Sequence, residues 1–233
     1  MRAASAFILS ALVFPAAANA QALSCRLPDS VPQAEVESGP SRVVPIGGYT
    51  LALSWSPEYC RFREKSGRDD FQCSRPTNRF GFVLHGLWPD GTGGRWPQYC
   101  RKSGPLPPPV VRATLCTMPS VDLQQHQWAK HGTCAFRDPG AYFWASRKLF
   151  SAVRYPDMSA LSRSEALTVA DFAAAFVARN PGIGANMIRV DVNRRGGLEE
   201  VMLCLDTHFR PSECRTGRAD RDHRVVRIWR GGR

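Results

Sequence analysis

The sequence predicts an α+β fold stapled by disulfides. Short runs alternate apolar and polar residues at the two-residue period of a strand. Other segments carry helix caps and a helical spacing of apolar residues. The two kinds follow one another with no regular βαβ order, which argues against a doubly wound parallel sheet. Eight cysteines, an even count in a chain that opens like a secreted protein, supply the staples.

Arg2 gives a positive start, Ala6 to Ala17 is an uncharged apolar run, and Ala18-Asn19-Ala20 has the A-x-A form of a cleavage site. Residues 1–20 therefore read as a signal peptide, cut near 20–22. A membrane anchor is the competing reading, but a spanning helix needs ~20 apolar residues. A lipid anchor on Cys25 is a weaker alternative, because Ala22-Leu23-Ser24 lacks a leucine three positions before the cysteine. The expected mature protein is secreted, periplasmic or extracellular, with no membrane anchor.

Residues 21–48 hold several prolines and read as an irregular arm; residues 49–233 read as one domain. Tyr49, Leu51, Leu53 and Trp55 alternate on one face of a first strand, which Ser56-Pro57 ends. Residues 61–78 are polar and read as a loop. In a second strand, Arg79 to Leu87, Phe80, Phe82 and Leu84 point one way while Gly81, Val83 and His85 point the other. His85 thus lies opposite the bulky apolar face, beside a glycine that leaves room for a ligand. A proline-rich spacer precedes a short helix from Val110 to Cys116. Leu123 to His131 reads as a helix ended by Gly132. Asp138-Pro139 caps and opens a helix over 140–152. Thr168 with Asp171 forms a capping box for a helix to Arg179, which Asn180-Pro181-Gly182 stops. Met187 to Val192, Leu198 to Asp206 and Arg224 to Trp229 read as later strands.

No C-x-x-C pair occurs, which disfavours structural zinc. Local spacing makes Cys60–Cys73 and Cys204–Cys214 the natural short bridges. The chain has 31 Lys and Arg against 20 Asp and Glu, a net charge of +11, and such a balance favours a polyanionic partner.

Three of the five histidines fall in two compact segments, Phe82 to Pro89 and His126 to Cys134. On a helix, His126, Gln127, Lys130 and His131 fall within an arc of roughly 140°, with Trp128 and Ala129 outside it. Cutting RNA through its own 2′-hydroxyl needs a base for that proton and an acid for the leaving 5′-oxygen. Histidine, with an ordinary pKa near ~6.5, suits both tasks. A lysine and a hydrogen-bond donor stabilise the charge that develops on phosphorus. Such a set works without metal or cofactor. A zinc site from the three histidines competes, but no carboxylate or thiolate stands beside them as a further ligand.

His85-Gly86-Leu87-Trp88-Pro89 and His126-x-Trp128-x-Lys130-His131-Gly132-Thr133-Cys134 resemble the two signature segments of the ribonuclease T2 family. Trp55-Ser56-Pro57-x-x-Cys60, the helix ending at Asn180-Pro181-Gly182, and Cys204 with Cys214 resemble other family features; the resemblance covers residues 49–215. It implies a central antiparallel sheet with flanking helices and an endoribonuclease that cuts single-stranded RNA to 2′,3′-cyclic phosphate ends. It implies His85 as acid, His131 as base, and His126 and Lys130 as phosphate holders. Trp88, Asp90 and Trp96 match the family's base pocket, Asp90 and Trp96 only loosely. It also implies a Cys100–Cys134 bridge, which leaves Cys25 and Cys116 for each other.

One position departs. The family usually has glutamate where this chain has Gln127, so Gln127 is kept as a phosphate contact and not as an acid or base. A catalytically weakened RNA-binding relative is the alternative. A non-catalytic basic binder and a metal-dependent phosphodiesterase are the other classes; the first needs no histidine pair, and the second needs more acidic residues than these segments hold. The expected partner is single-stranded RNA, bound by a monomer.

Overall fold

The computed structural model describes residues 22–63, 67, 69–215 and 222–231. The leader and its cut site lie outside the described residues. A short strand, β1 (Ala22–Ser24), leads into an irregular arm. β2 then runs from Ile46 to Trp55, three residues earlier than its alternation predicts. Two short helices follow, α1 (Ser56–Cys60) and α2 (Asp70–Cys73), the second inside the stretch read as a loop. β3 (Arg79–Phe80) pairs with β1, and β4 runs from Phe82 to Gly91.

Next come α3 (Pro108–Thr114) and α4 (Val121–Gln127). After α4 the chain continues without a break into a π-helical turn, Trp128–Gly132, and a last turn, Thr133–Ala135. Gly132 therefore does not end the helix. It is required for packing: a Cβ there would lie 2.4 Å from the Trp128 ring and 3.0 Å from Tyr142. α5 (Pro139–Ala152) starts at Asp138, whose carboxylate accepts from Ala141 N at 2.9 Å. After α6 (Met158–Leu161), α7 (Val169–Arg179) carries the Thr168/Asp171 capping box. β5 (Ile188–Val192) and β6 (Leu198–Leu205) complete the sheet.

The main sheet has the order β4-β2-β6-β5, with every neighbouring pair antiparallel. Its two faces differ, as an antiparallel sheet allows. One face buries Tyr49, Leu51, Leu53, Phe82, Leu84 and Val201 against Tyr142 and Phe143 of α5 and Phe172 and Phe176 of α7. The Tyr142 hydroxyl is also held at both ends of Leu87, accepting from its N–H at 3.3 Å and donating to its carbonyl at 3.2 Å. The other face carries Thr50 bonded to Asp90 and, separately, Ser54 and His85 bonded to Glu200.

The expected strand from Arg224 to Trp229 is absent among the described residues. Val226 and Ile228 are buried alternately, as in a strand. Their segment nevertheless makes only single bridges, Val225 to Thr168 and Arg227 to Gly197, because no neighbouring strand runs alongside.

Four disulfides fasten the elements: Cys25–Cys116, Cys60–Cys73, Cys100–Cys134 and Cys204–Cys214. Each typically stabilises by ~2–4 kcal/mol, mainly by restricting the unfolded chain. Cys25–Cys116 ties the arm to the end of α3, and Cys100–Cys134 ties the loop after β4 to the last turn of the His-bearing helix.

Candidate active site

His85 sits at a β-bulge. Along β2 and β4, Ala52 faces Gly86 and Leu53 faces Leu84, so His85 has no partner opposite it. The extra residue resets the alternation, and Leu84 and Leu87, three apart, are both fully buried on the core face. Bulges turn a side chain out of the regular pleat. Here the imidazole keeps 31% of its surface open, with Nδ1 against a carboxylate oxygen of Glu200. Since a carboxylate only accepts, Nδ1 carries the hydrogen, and Nε2 has no hydrogen-bond partner among the described residues. Ser54 donates to the same oxygen at 2.9 Å. Burial would raise the Glu200 carboxyl, yet the His85 hydrogen bond and charge and the Ser54 hydroxyl hold it below the ordinary range.

His131 has the opposite setting. It lies in the π turn, buried to 7% exposure. Its Nδ1 is buried with no hydrogen-bond partner among the described residues. Burial, then the charges of Lys130, His126 and His85, push its pKa down to about 3. The Trp88 indole packs against both histidines, its ring 5.1 Å from His85 and 5.7 Å from His131, centroid to centroid. His126 is 6.3 Å beyond His131.

Gln127 is almost wholly buried, and its Oε1 accepts from Trp88 Nε1 at 2.8 Å. The side chain is a strut for the indole rather than a group extended into the cleft. The same strut fills the space above Gly86, where a Cβ would lie 2.1 Å from Gln127 Oε1. The glycine beside His85 therefore makes room for protein, not for a ligand.

His126 is held from the arm. Its Nδ1 lies 2.6 Å from Glu37 Oε2, and the other Glu37 oxygen accepts from the Tyr99 hydroxyl. Burial opposes ionisation of Glu37, but Tyr99, His126 and Lys130 outweigh it and lower its pKa. Burial and the same carboxylate push the Tyr99 hydroxyl up to about 12. Tyr99 N also donates to the Lys130 carbonyl at 2.9 Å, which locks the loop against the π turn.

A cleft of ≈ 860 Å³ opens from Lys130 and His131, past Trp88, along the polar face of the sheet. Asp90 lies in it, accepting from Thr50 at 2.7 Å. Burial raises its pKa, against the Thr50 hydrogen bond and the charges of Arg189 and Arg215. Trp96 is at the rim, half exposed, with the Arg42 guanidinium 5.0 Å above its ring.

The sequence pattern of the Ribonuclease T2 family matches residues 46–214. The chain belongs to that family. A probable ribonuclease of Haemophilus influenzae is 32% identical over 189 residues, 76% of this chain and 64% of that protein. A ribonuclease of Aeromonas hydrophila is 45% identical over 87 residues, 37% of each chain. The chain thus spans less than two thirds of either relative's length. Among solved structures, trichomaglin, an S-like ribonuclease, superposes with a TM-score of 0.61 at 23% identity, over 78% of this chain and 97% of that one. RNase NT, solved with 5′-AMP, gives 0.56 at 22% identity, over 79% and 98%. These likenesses show the fold.

Within the ribonuclease T2 frame, the structure gathers His85, Trp88, His126, Gln127, Lys130 and His131 at one end of the sheet's polar face. Asp90 and Trp96 stand farther along the cleft. Sequence reasoning missed Glu200 and Glu37. The alternation of β6 places Glu200, Met202 and Cys204 together on the face away from Val201 and Leu203, a signal that could have found the first. Nothing in an irregular arm could have found the second. Arg189 and Arg215, which also line the cleft, were missed as well.

Proposed function

We propose that this chain is an endoribonuclease that cuts single-stranded RNA by transphosphorylation, leaving 2′,3′-cyclic phosphate ends, with His131 as base and His85 as acid. One observation carries the reading: two imidazoles, both against the Trp88 ring, sit in different electrostatic settings. One is backed by the carboxylate of Glu200, while the other is buried among cations that keep it neutral.

Burial and the neighbouring cations favour the neutral form of His131, with its pKa lowered to about 3. A neutral imidazole can take the 2′-hydroxyl proton. A phosphodiester drawn into the cleft adds negative charge and offsets the repulsion from Lys130 and His126, so the bound substrate makes His131 a stronger base. The 2′-oxygen attacks phosphorus, the bond to the 5′-oxygen breaks, and His85 Nε2 gives its proton to that leaving oxygen. Glu200 fixes the His85 tautomer for this transfer, much as a buried carboxylate orients a catalytic imidazole elsewhere. Lys130 and His126 stabilise the extra charge on the non-bridging oxygens. Both proton transfers are covered by side chains, so the reading names no metal and no cofactor. Trp88, Asp90 and Trp96 are read as substrate contacts along the cleft.

We read residues 49–233 as one catalytic domain, with its first strand extended back to Ile46. Four disulfides fit an oxidising compartment. The protein is read as a secreted monomer, periplasmic or extracellular, with no membrane anchor; among the described residues no helix is long and apolar enough to cross a membrane.

The test is incubation of the oxidised protein with single-stranded RNA and the matching DNA in excess EDTA. Cleavage of RNA alone, with cyclic phosphate ends, is the expected outcome, because only RNA has the 2′-hydroxyl. Cutting of DNA, or complete loss of activity in EDTA, would refute the mechanism.

A further inference from the structure

The large cleft explains only one side of a cut strand. It is lined by Lys130, His131, Trp88 and Asp90, and His85 is not among its lining residues. His85 instead faces Glu200 and Ser54, toward the far end of β2. If His131 takes the proton of the 2′-hydroxyl, the nucleotide carrying that hydroxyl occupies the cleft. The leaving nucleotide, which receives its proton from His85, then departs toward the other end of the sheet.

That end carries a second cluster of exposed aromatic rings. Trp55 directly follows Ser54 at the end of β2; its indole, on the core face of the sheet, donates to the Trp229 carbonyl at 2.6 Å, so Trp229 is anchored at that end of the strand. Around it stand Phe62, 71% exposed, and Tyr59, at the edge of α1. Arginines interleave with these rings. Arg61 lies 4.7 Å from the Trp229 ring and 5.5 Å from Phe62; Arg195 lies 5.3 Å from Phe62; Arg63 lies 4.2 Å from Tyr59. The nearby acids are largely engaged: Glu58 is buried against Asn193 and Arg61, and Asp69 accepts from Tyr59. Glu199 is exposed; burial and the charges of Glu200, Asp191 and Glu58 raise its pKa, with Arg63 acting the other way, so this carboxyl carries its charge less readily than an ordinary one.

Resting on the endoribonuclease reading, we propose that this aromatic–arginine patch is a binding site for single-stranded RNA on the 3′ side of the cut. Exposed rings give unpaired bases a stacking surface that tolerates any base, and guanidinium groups beside them meet the phosphates. The arrangement mirrors Trp96 and Arg42 at the rim of the cleft, so each end of the site closes on a ring with an arginine over it.

The experiment compares oligoribonucleotides that share one cleavable dinucleotide step and extend by zero or about six nucleotides on its 3′ side, or by the same length on its 5′ side. The wild type is compared with a Phe62→Ser/Arg195→Ser variant, both positions being exposed. The 3′ extension should raise kcat/KM by about tenfold in the wild type. The variant should lose that gain and leave both the dinucleotide rate and the 5′ gain unchanged. An undiminished 3′ gain in the variant, or an equal fall on the dinucleotide, overturns the proposal. So does a variant that loses only its binding to anionic phospholipid vesicles, since the patch would then be a membrane contact. Affinity for a non-cleavable 2′-deoxy strand is measured alongside. If the wild type cuts nothing, the cleavage reading fails by itself. Weaker binding of that strand by the variant then still supports the patch, and equal binding overturns it.

Discussion

His85 and His131 both pack against one indole, and almost everything else about them differs. His85 projects from a bulged strand, about one-third open, with a carboxylate behind its Nδ1. His131 is packed into a π turn, closed off, with cationic neighbours and no partner for its Nδ1 among the described residues. Both settings come from an irregularity in regular structure: one extra residue in a β-ladder, one widened turn in a helix. Such irregularities recur at functional sites because they aim side chains that a regular pleat or spiral would bury or expose by rote. The comparison teaches that two chemically identical side chains acquire different jobs from backbone geometry and from which charges that geometry brings near.

The largest effects follow from breaking either member of the pair. His131→Ala and His85→Ala should each lower kcat/KM on RNA by about 10²–10⁴-fold, the usual contribution of a general acid or base. Glu200→Gln should cost less, about tenfold, because the amide still accepts from His85 Nδ1 while the negative charge is lost. A Glu200→Gln variant whose kcat/KM on RNA matches the wild type would show that Glu200 only fills space.

Much of this was readable without coordinates, and the failures share a cause. The alternation Tyr49-Leu51-Leu53-Trp55 and the caps at Asp138 and Thr168 gave elements whose positions the structure reproduces to within a few residues. The family resemblance to ribonuclease T2 and the mixed fold with an antiparallel sheet also stand. The bulge at His85 and the π turn at Trp128–Gly132 were not readable, because both are register choices made by packing: Leu87 must reach the core, and Trp128 must lie on Tyr142. Gly132 looked like a helix stop because glycine's commonest reason is conformational, whereas here it is steric. Glu37 is 89 residues from His126 and Glu200 is 115 from His85. Contacts over such separations leave no local pattern. Arg224 to Trp229 had the alternation of a strand, but a strand needs a neighbour, and sequence does not say whether one is free.

Acid stability gives a second, intermediate test of the contrast. The unfolded chain binds a proton at position 131 near the ordinary histidine pKa of ~6.5, while the native chain resists it down to about 3. Between those values the unfolded state holds more protons, so stability must fall as pH drops. The contribution is fully present above pH ~6.5 and declines toward pH ~3. His131→Gln removes the titration. The stability lost by the wild type between pH 7 and 5 should shrink in this variant by about 1–2 kcal/mol, read from denaturant midpoints at each pH. Parallel curves for the two proteins would mean that His131 is accessible enough to protonate in the fold, and its assignment as a neutral base would lose its main support.

The smallest expected effect concerns Gln127, where the family usually has glutamate. Gln127→Glu keeps an acceptor for Trp88 Nε1, so the indole should stay in place against the two histidines. It adds a negative charge one helical turn from His131. That charge favours protonated imidazole and should carry the acid limb of kcat/KM, which reports the base, to higher pH. The shift should be less than about one pH unit, because burial raises the new carboxyl itself and leaves it only partly ionised. The rate at the optimum should change by no more than about threefold, since an anion beside a reacting phosphate also repels it. Profiles for the wild type and the variant on one RNA dinucleotide decide the matter. A rise of a hundredfold or more on restoring glutamate would reverse the assignment: the natural chain would then be an RNA-binding relative with weakened catalysis, and the contrast between His85 and His131 would be a remnant of a mechanism it no longer uses well.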